Sequence, residues 1–189
     1  NGFMLYREDF IKKLNGIFAI AIYHAEEKRL WLFRDRIGIK PLFFTITDNT
    51  LVFASEIKGL FTYPGINPVV DKNGLCEIFA LGPARTCGNG VFQNIFELLP
   101  GEFLTFSIDG LNRQFYWKLE SRLHEDSFLE TVEKTAWLIE DSVKMQMLSD
   151  IPICTFLSGG LDSSLVTAIC AKELQKQNRK LNTFSFDFK

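Results

Sequence analysis

The chain has 189 residues, of which 47% are hydrophobic and 23% are charged, and its formal net charge at pH 7 is −2. This length allows one large domain or two smaller ones, and the hydrophobic fraction is ample for a core. The small negative charge gives no electrostatic basis for binding nucleic acid. We find no bilayer-spanning apolar run and no signal peptide, so we expect a soluble, cytoplasmic protein with neither membrane nor nucleic-acid partners.

The first part of the chain has the pattern of closely spaced strands, in which apolar runs alternate with polar turn residues. The predicted strands lie at 18–23, 30–33, 42–46, 51–54, 102–108 and 114–117, and the predicted short helices lie at 56–61 and 72–81. Asp109-Gly110 is a hairpin signal between the last two strands. We therefore predict a sheet-rich α+β domain over residues 1–117.

The composition turns charged at 118–126, which we interpret as a linker. An amphipathic helix is predicted at 128–148, followed by a buried strand at 151–157, a helix that begins near Asp162, and a strand at 183–188. A strand, a helix and a second strand form a βαβ unit, which implies a parallel sheet. The sequence thus predicts an α/β domain over 127–189, and we expect it to be incomplete because one such unit cannot bury both faces.

The turn between strand and helix has the sequence Phe-Leu-Ser-Gly-Gly-Leu-Asp-Ser-Ser over residues 156–164. Glycines 159 and 160 remove the Cβ atoms that would keep backbone N–H groups away from a phosphate, and the helix N-terminus adds a favourable dipole. The adjacent glycines and the missing lysine exclude a Walker A loop. The alternative is a tight turn in which Asp162 or Ser163 merely caps the helix.

This turn resembles the pyrophosphate loop of the N-type ATP pyrophosphatases, which cleave ATP between its α and β phosphates. The resemblance implies that ATP and magnesium are required. It assigns pyrophosphate binding to Ser158, Gly159, Gly160, Asp162 and Ser163, with Ser164 a weaker candidate and Asp162 also a magnesium ligand. It places adenine near Phe156 and Leu157 and near residues 184–186, including Phe186, although these phenylalanines could equally pack in a core. Asp187 departs from the family's glycine.

A second motif, Arg-Asp-Arg-Ile-Gly-Ile-Lys-Pro-Leu at 34–42, resembles the RDxxGxxPL signature of class II glutamine amidotransferases. With the segments 14–19, 54–58 and 99–102, the chain resembles the glutamine-hydrolysing asparagine synthetases. The resemblance implies the C-terminal part of an N-terminal-nucleophile (αββα) glutaminase domain, followed by the start of a parallel-sheet ATP pyrophosphatase domain of the adenine nucleotide α hydrolase type. It assigns binding of the α-amino group of glutamine to Asp35, and glycine at position 38 would let the loop turn sharply. The alternative is an ordinary ion pair between Arg34 and Asp35.

The family's nucleophile is an N-terminal cysteine, whereas this sequence begins with Asn1, and its cysteines lie at 76, 87, 154 and 170. We therefore assign no catalytic residue, and neither Asn1-Gly2 nor Asn15-Gly16 is assigned to the oxyanion hole. His24 and His124 are expected on the surface, and Cys154 and Cys170 are expected to be buried thiols. The chain alone is expected to be inactive and to associate through a strand edge after Phe188.

The resemblance implies glutamine-dependent asparagine synthesis, in which ammonia from glutamine attacks β-aspartyl-AMP formed from ATP and aspartate. It allows a homodimer as the assembly of the full-length protein. The alternatives are another adenylating amidotransferase, including a β-lactam synthetase-like enzyme, or a non-catalytic relative that binds ATP or glutamine. Residues that recognise the acceptor carboxylate would separate these alternatives.

Overall fold

The computed structural model describes residues 1–186, and the chain divides into two compact units. The first unit is Asn1–Ser121, and the second begins at Arg122. Each unit is described by itself below. Among the described residues, no helix combines the length and the apolarity that a membrane crossing requires.

The first unit contains three α-helices, one 3₁₀ segment and seven strands. These are α1 (Gly2–Tyr6), the 3₁₀ segment (Arg7–Lys13), β1 (Ala19–His24), β2 (Arg29–Arg34), β3 (Phe43–Thr47), β4 (Thr50–Ala54), α2 (Ile57–Leu60), α3 (Lys72–Leu81), β5 (Phe96–Glu97), β6 (Glu102–Ser107) and β7 (Gly110–Phe115). The predicted strands and helices of this unit are all present, with shifted ends. The helical segment before residue 14 and the short strand β5 have no counterpart in the sequence-based prediction.

The strands form two antiparallel sheets, one in the order β1-β2-β6-β7 and the other in the order β4-β3-β5. A two-residue turn, Asp48-Asn49, joins β3 to β4, and both residues have positive φ (45° and 59°), as a type I′ turn requires. In the second hairpin, Ser107 pairs with Gly110, so the turn residues lie one position earlier than predicted. The first residue predicted for the strand at 114–117 was wrong, because pairing with β6 begins at Gly110.

The sheets pack face to face and are covered on both outer faces. Leu32 and Leu104 of one sheet share a cluster with Phe44 of the other, so this core lies between the sheets. On the opposite face of the first sheet, a second cluster joins the N-terminal helical segment to β2 and β6: Phe3, Ile11, Trp31, Phe33 and Phe103. Helix α2 packs on the outer face of the second sheet through a third cluster around Leu60. The layer order is therefore helical, sheet, sheet, helical.

The second unit contains α4 (Phe128–Gln146), β8 (Cys154–Phe156), α5 (Leu161–Lys176) and β9 (Asn182–Phe184). Ser127 caps α4, and its side chain and that of Glu130 form a capping box. Strands β8 and β9 pair in parallel, with Thr155 opposite Thr183, which confirms the predicted βαβ unit. The strands are shorter than predicted. The last predicted strand residues, Asp187 and Phe188, lie outside the described part of the chain.

The side chains of α4 and α5 are joined by an ion pair. Lys144 of α4 lies 3.4 Å from Glu173 of α5 and 2.9 Å from Glu140 of its own helix. Cys170 is buried on α5, as expected, and burial raises the pKa of its thiol. The expectation that Cys154 is buried was wrong, because this residue lies on the face of β8 that α5 does not cover.

Candidate functional site

The motif at 34–42 is a loop that its own first two residues hold in shape. Arg34 ends β2 and donates hydrogen bonds to three carbonyl oxygens, those of Leu98, Gly38 (2.8 Å) and Lys40 (2.9 Å). Its guanidinium also lies 2.9 Å from the carboxylate of Glu97, which comes from β5. The ion partner of Arg34 is therefore Glu97, and the alternative of an ordinary pair with Asp35 is not what the structure contains.

Asp35 holds the other half of the same loop. Its carboxylate accepts hydrogen bonds from the backbone N–H groups of Ile37 (3.2 Å), Ile39 (3.0 Å) and Lys40 (3.0 Å). Only 2% of the residue is exposed. Burial alone would raise the pKa of this carboxyl, but the backbone N–H groups that face it outweigh burial and lower its pKa. Asp35 is therefore an ionised, buried anchor for the loop.

Gly38 lets the loop fold back on these two side chains. Its φ is +73°, a conformation that glycine adopts without strain. A Cβ atom at this position would lie 2.7 Å from Cγ of Pro100 and 3.2 Å from Cζ of Arg34. Arg34 thus donates hydrogen bonds to backbone carbonyl oxygens of the loop, and Asp35 accepts hydrogen bonds from its backbone N–H groups. Gly38 leaves room for this arrangement because it has no Cβ atom.

Tyr116 ties the end of β7 to the start of this loop, because its hydroxyl donates a hydrogen bond to the carbonyl oxygen of Arg34 (2.6 Å). Burial raises the pKa of Tyr116 to about 12, against a smaller opposing effect of Arg36. Because the folded pKa exceeds the unfolded pKa of about 10, the stabilisation is complete below pH 10 and is lost as the pH rises toward 12.

We expect Tyr116→Phe to lower the free energy of unfolding by about 1 kcal/mol at pH 8. The deficit relative to the unmodified protein should shrink between pH 10 and 12, since the tyrosine ionises on unfolding there. Denaturant unfolding at several pH values is the measurement. Tyr23→Phe is the matched control, because Tyr23 is 63% exposed. A deficit that stays constant up to pH 12 would contradict the role of the hydroxyl.

The second candidate site is the turn Ser158-Gly159-Gly160 between β8 and α5. Gly159 has φ +82°, and a Cβ atom there would meet no neighbour within 4 Å, so the space beside its Cα is open. The hydroxyl of Ser163 accepts the N–H of Ser158 (3.3 Å), lies 3.0 Å from the hydroxyl of Ser158, and donates to the carbonyl oxygen of Gly160 (3.2 Å). Ser158 and Ser163 are therefore joined to each other and to Gly160 by hydrogen bonds within an exposed loop at the start of α5.

Asp162 lies in the first turn of α5 and is exposed to solvent. Its carboxylate is on the same short segment as the serine and glycine donors. Mg²⁺ is bound in many nucleotide sites by one or two carboxylates together with substrate phosphates. In the part of the chain that the structure describes, no cluster of three or more metal-ligating side chains occurs, so a metal here would depend on phosphate oxygens for most of its ligands.

Phenylalanine side chains lie beside this loop on the face of β8 and β9 opposite α5. Phe156 stacks on Phe186 with ring centroids 6.3 Å apart and an interplanar angle of 19°, and Phe184 lies 6.5 Å from Phe156. Phe156 is 68% exposed and Phe186 is 85% exposed. Within the described unit these rings do not pack in a core, which was one of the two alternatives for them.

The structure brings together all the residues predicted for the nucleotide site: Phe156, Ser158, Gly159, Gly160, Asp162, Ser163 and Phe186. Asp35 belongs to the other unit. Two further hydroxyl contacts near the loop were not predicted from the sequence. Ser185 donates to the carbonyl oxygen of Leu157 (2.7 Å), and Thr167 donates to Thr155 (3.0 Å). No local sequence pattern marks such contacts, because each joins residues from different elements.

Comparison with known proteins gives matches to both units. The family model for the glutamine amidotransferase domain matches residues 1–117, and the asparagine synthase model matches residues 134–189. Over the whole chain, 47% of residues are identical to glutamine-hydrolysing asparagine synthetase 3 of Bacillus subtilis, and 35% are identical to asparagine synthetase 2 of the same organism over 96% of the chain. Amidase chyE of Penicillium rubens is 32% identical over 95% of the chain.

The chain spans between a quarter and a third of the length of these curated relatives, covering 31%, 26% and 27% of them. The amidotransferase model covers more than half of this chain, and its match includes Arg34, Asp35 and Gly38 of the loop described above. On these findings, the chain belongs to the glutamine amidotransferase domain family.

Proposed function

We propose that the full-length protein makes asparagine from aspartate, with glutamine as the nitrogen donor and ATP as the activating substrate. The observation that carries this proposal is the order of the two matches along one chain, an amidotransferase domain and then the start of an asparagine synthase domain. Glutamine hydrolysis in the first would supply ammonia to an adenylated carboxylate formed in the second. The substrates are thus small molecules.

In finer detail, we propose that the first unit is the C-terminal part of an N-terminal-nucleophile (αββα) glutaminase. Its layer order of helical, sheet, sheet and helical supports this assignment. The second unit would then begin a parallel-sheet ATP pyrophosphatase domain, which the parallel pairing of β8 and β9 supports. The limits of the domains, the homodimer and the cytoplasmic location stay predictions.

The loop between β8 and α5 is proposed to hold the β- and γ-phosphates of ATP. Backbone N–H groups of Gly159 and Gly160 and hydroxyls of Ser158 and Ser163 are the donors, and the N-terminus of α5 adds its dipole. Asp162 would hold magnesium, which supplies charge neutralisation on the pyrophosphate as the α–β bond breaks. The stacked rings of Phe156 and Phe186 offer an apolar surface for adenine.

For Asp35, direct contact with the ammonium group of glutamine stays a prediction. The geometry gives more support to a positioning role, since three backbone N–H groups already face the carboxylate and 2% of the residue is exposed. We propose that Asp35 affects glutamine hydrolysis through the shape of the loop 35–41. Its alanine variant distinguishes the two roles and is treated in the Discussion.

A second candidate function is the amidation of a different carboxylate by the same route. We keep this candidate because a relative with 32% identity is named an amidase and not an asparagine synthetase, so the proteins similar to this chain are not all named for asparagine synthesis. Both candidates use the same adenylation chemistry, and they differ in the acceptor.

The acceptor is tested by supplying the full-length protein with ATP, magnesium and amide-labelled [¹⁵N]glutamine, together with aspartate or with other carboxylic acids. We expect the label in the side-chain amide of asparagine. Transfer to another acid at a higher rate, with aspartate left unchanged, would favour the second candidate. Glutamate formation without any amidated product would contradict both.

A further inference from the structure

Two hydroxyl contacts connect β8 and its following loop to α5. The contact at the loop, here called the upper contact, joins Ser158 to Ser163 (3.0 Å between the Oγ atoms). The contact further from the loop, here called the lower contact, joins β8 to α5, and in it the hydroxyl of Thr167 donates to that of Thr155 (3.0 Å). Ser163 and Thr167 are four residues apart, about one helical turn or 6 Å along the axis. The two contacts therefore lie one above the other on the same face of α5.

The two contacts differ in what they can reach. Ser158 is exposed beside the open space at Gly159, so its hydroxyl and that of Ser163 can turn toward a phosphate. Thr155 and Thr167 are half-buried between strand and helix, one turn further from the loop. Their contact lies outside the exposed loop and joins the strand before the loop to the helix after it.

The orientation of β8 supports this division. Side chains alternate along a strand, so Thr155 faces α5 while Phe156 faces away from it and stacks on Phe186. A shift of α5 along β8 would break the lower contact and would move Asp162 and Ser163 relative to the glycines. The separation between the end of β8 and the start of α5, which the loop joins, depends on the register of α5 along β8.

We propose that Thr155 and Thr167 are positioning residues for the pyrophosphate loop, a role that rests on the proposed function of that loop. They hold α5 in the register at which Ser158, Ser163 and the glycine N–H groups converge. The Thr155–Thr167 hydrogen bond favours one register because a hydrogen bond weakens steeply with misalignment, whereas apolar contacts between the two elements are non-directional.

The test uses the full-length protein and the variants Thr167→Val, Thr167→Ser and Thr135→Val. Valine keeps the shape of threonine and removes the hydroxyl, and serine keeps the hydroxyl. Thr135 lies on α4 and lines the groove between α4 and α5, so it is the matched control. The measurements are the KM values for ATP and for aspartate in ammonia-dependent synthesis and, separately, the rate of glutamine hydrolysis.

We expect Thr167→Val to raise the KM for ATP three- to tenfold, with glutamine hydrolysis and the KM for aspartate unchanged. Thr167→Ser and Thr135→Val should remain within twofold of the unmodified protein. An unchanged KM for ATP in Thr167→Val, or an equal fall in both activities, would overturn the proposal and leave the contact as ordinary packing. If the unmodified protein binds no ATP, the proposed function of the loop fails. If it binds ATP and Thr167→Val leaves the KM for ATP unchanged, only the positioning role fails.

Discussion

Replacing Asp162 by Asn is expected to weaken the binding of magnesium–ATP to the full-length protein by about 10- to 100-fold. The substitution keeps the size of the side chain and removes its charge from the first turn of α5, beside the proposed pyrophosphate donors. Charge-assisted contacts are typically worth about 1.5–3 kcal/mol, and each 1.4 kcal/mol is a factor of ten in affinity. Titration calorimetry of both proteins with magnesium–ATP measures the effect.

Asp150→Asn is the matched control, because Asp150 is also exposed and precedes β8. It should leave the affinity for ATP within twofold. The loss of Asp162 also removes a favourable charge at the N-terminus of α5, which is worth about 0.3–1 kcal/mol, so thermal unfolding of both variants is compared. Equal affinity in Asp162→Asn and in the unmodified protein would reduce the segment 158–164 to a structural turn.

Asp35→Ala is expected to loosen the loop 35–41 and to impair glutamine hydrolysis as a consequence. The substitution leaves three backbone N–H groups facing a small cavity, and each lost bond to a charged acceptor costs about 1.5–3 kcal/mol before relaxation. We expect relaxation and solvent to leave a net cost of about 2.8 kcal/mol, the equivalent of one such bond, so that local opening of the loop becomes roughly 100-fold more frequent. Hydrogen–deuterium exchange of a peptide covering this loop measures that opening, and glutaminase kinetics are measured in parallel.

The two roles of Asp35 predict different pairs of results. A positioning role predicts faster exchange in the loop together with a higher KM for glutamine. A direct contact with glutamine predicts the higher KM with normal exchange. Glu26→Gln is the control, because Glu26 is exposed on the β1–β2 turn. Normal exchange and normal kinetics in Asp35→Ala would contradict both roles.

The acid dependence of stability follows from the same carboxylate. The pKa of Asp35 is lowered from its usual value of 3.8. Its contribution is therefore present above the unfolded pKa and is lost as the pH falls through the lower, folded pKa. Asp35→Asn should thus differ most from the unmodified protein near neutral pH, and the difference in free energy of unfolding should shrink below about pH 4.

Much of the first unit could be predicted because its strands carry clear local patterns. The apolar run of β2 is one example, and the structure gives its physical reason: Trp31 and Phe33 pack under the N-terminal segment while Leu32 packs between the sheets. The N-terminal helical segment could not be predicted in this way. Its stability depends on distant partners, such as Glu8, which accepts a hydrogen bond from the indole of Trp31 (2.6 Å).

The candidate nucleotide site could be proposed from the sequence because its candidate residues are adjacent along the chain. Ser158 to Ser163 form a continuous segment, and strand, turn and helix around it follow from periodicity. The role of Asp35 was harder, since its position in a motif says nothing of burial or of which groups face it. Thr155 and Thr167 show the same limit, because only the pairing of β8 with α5 brings their hydroxyls together.

The most direct test of the proposed function is which bond of ATP is cleaved. The full-length protein is incubated with magnesium–ATP, aspartate and glutamine, and the phosphorus-containing products are followed by ³¹P NMR. We expect AMP and pyrophosphate in amounts equal to the asparagine formed. Formation of ADP and inorganic phosphate with asparagine would contradict it, because the loop at 158–163 would then not hold the leaving pyrophosphate.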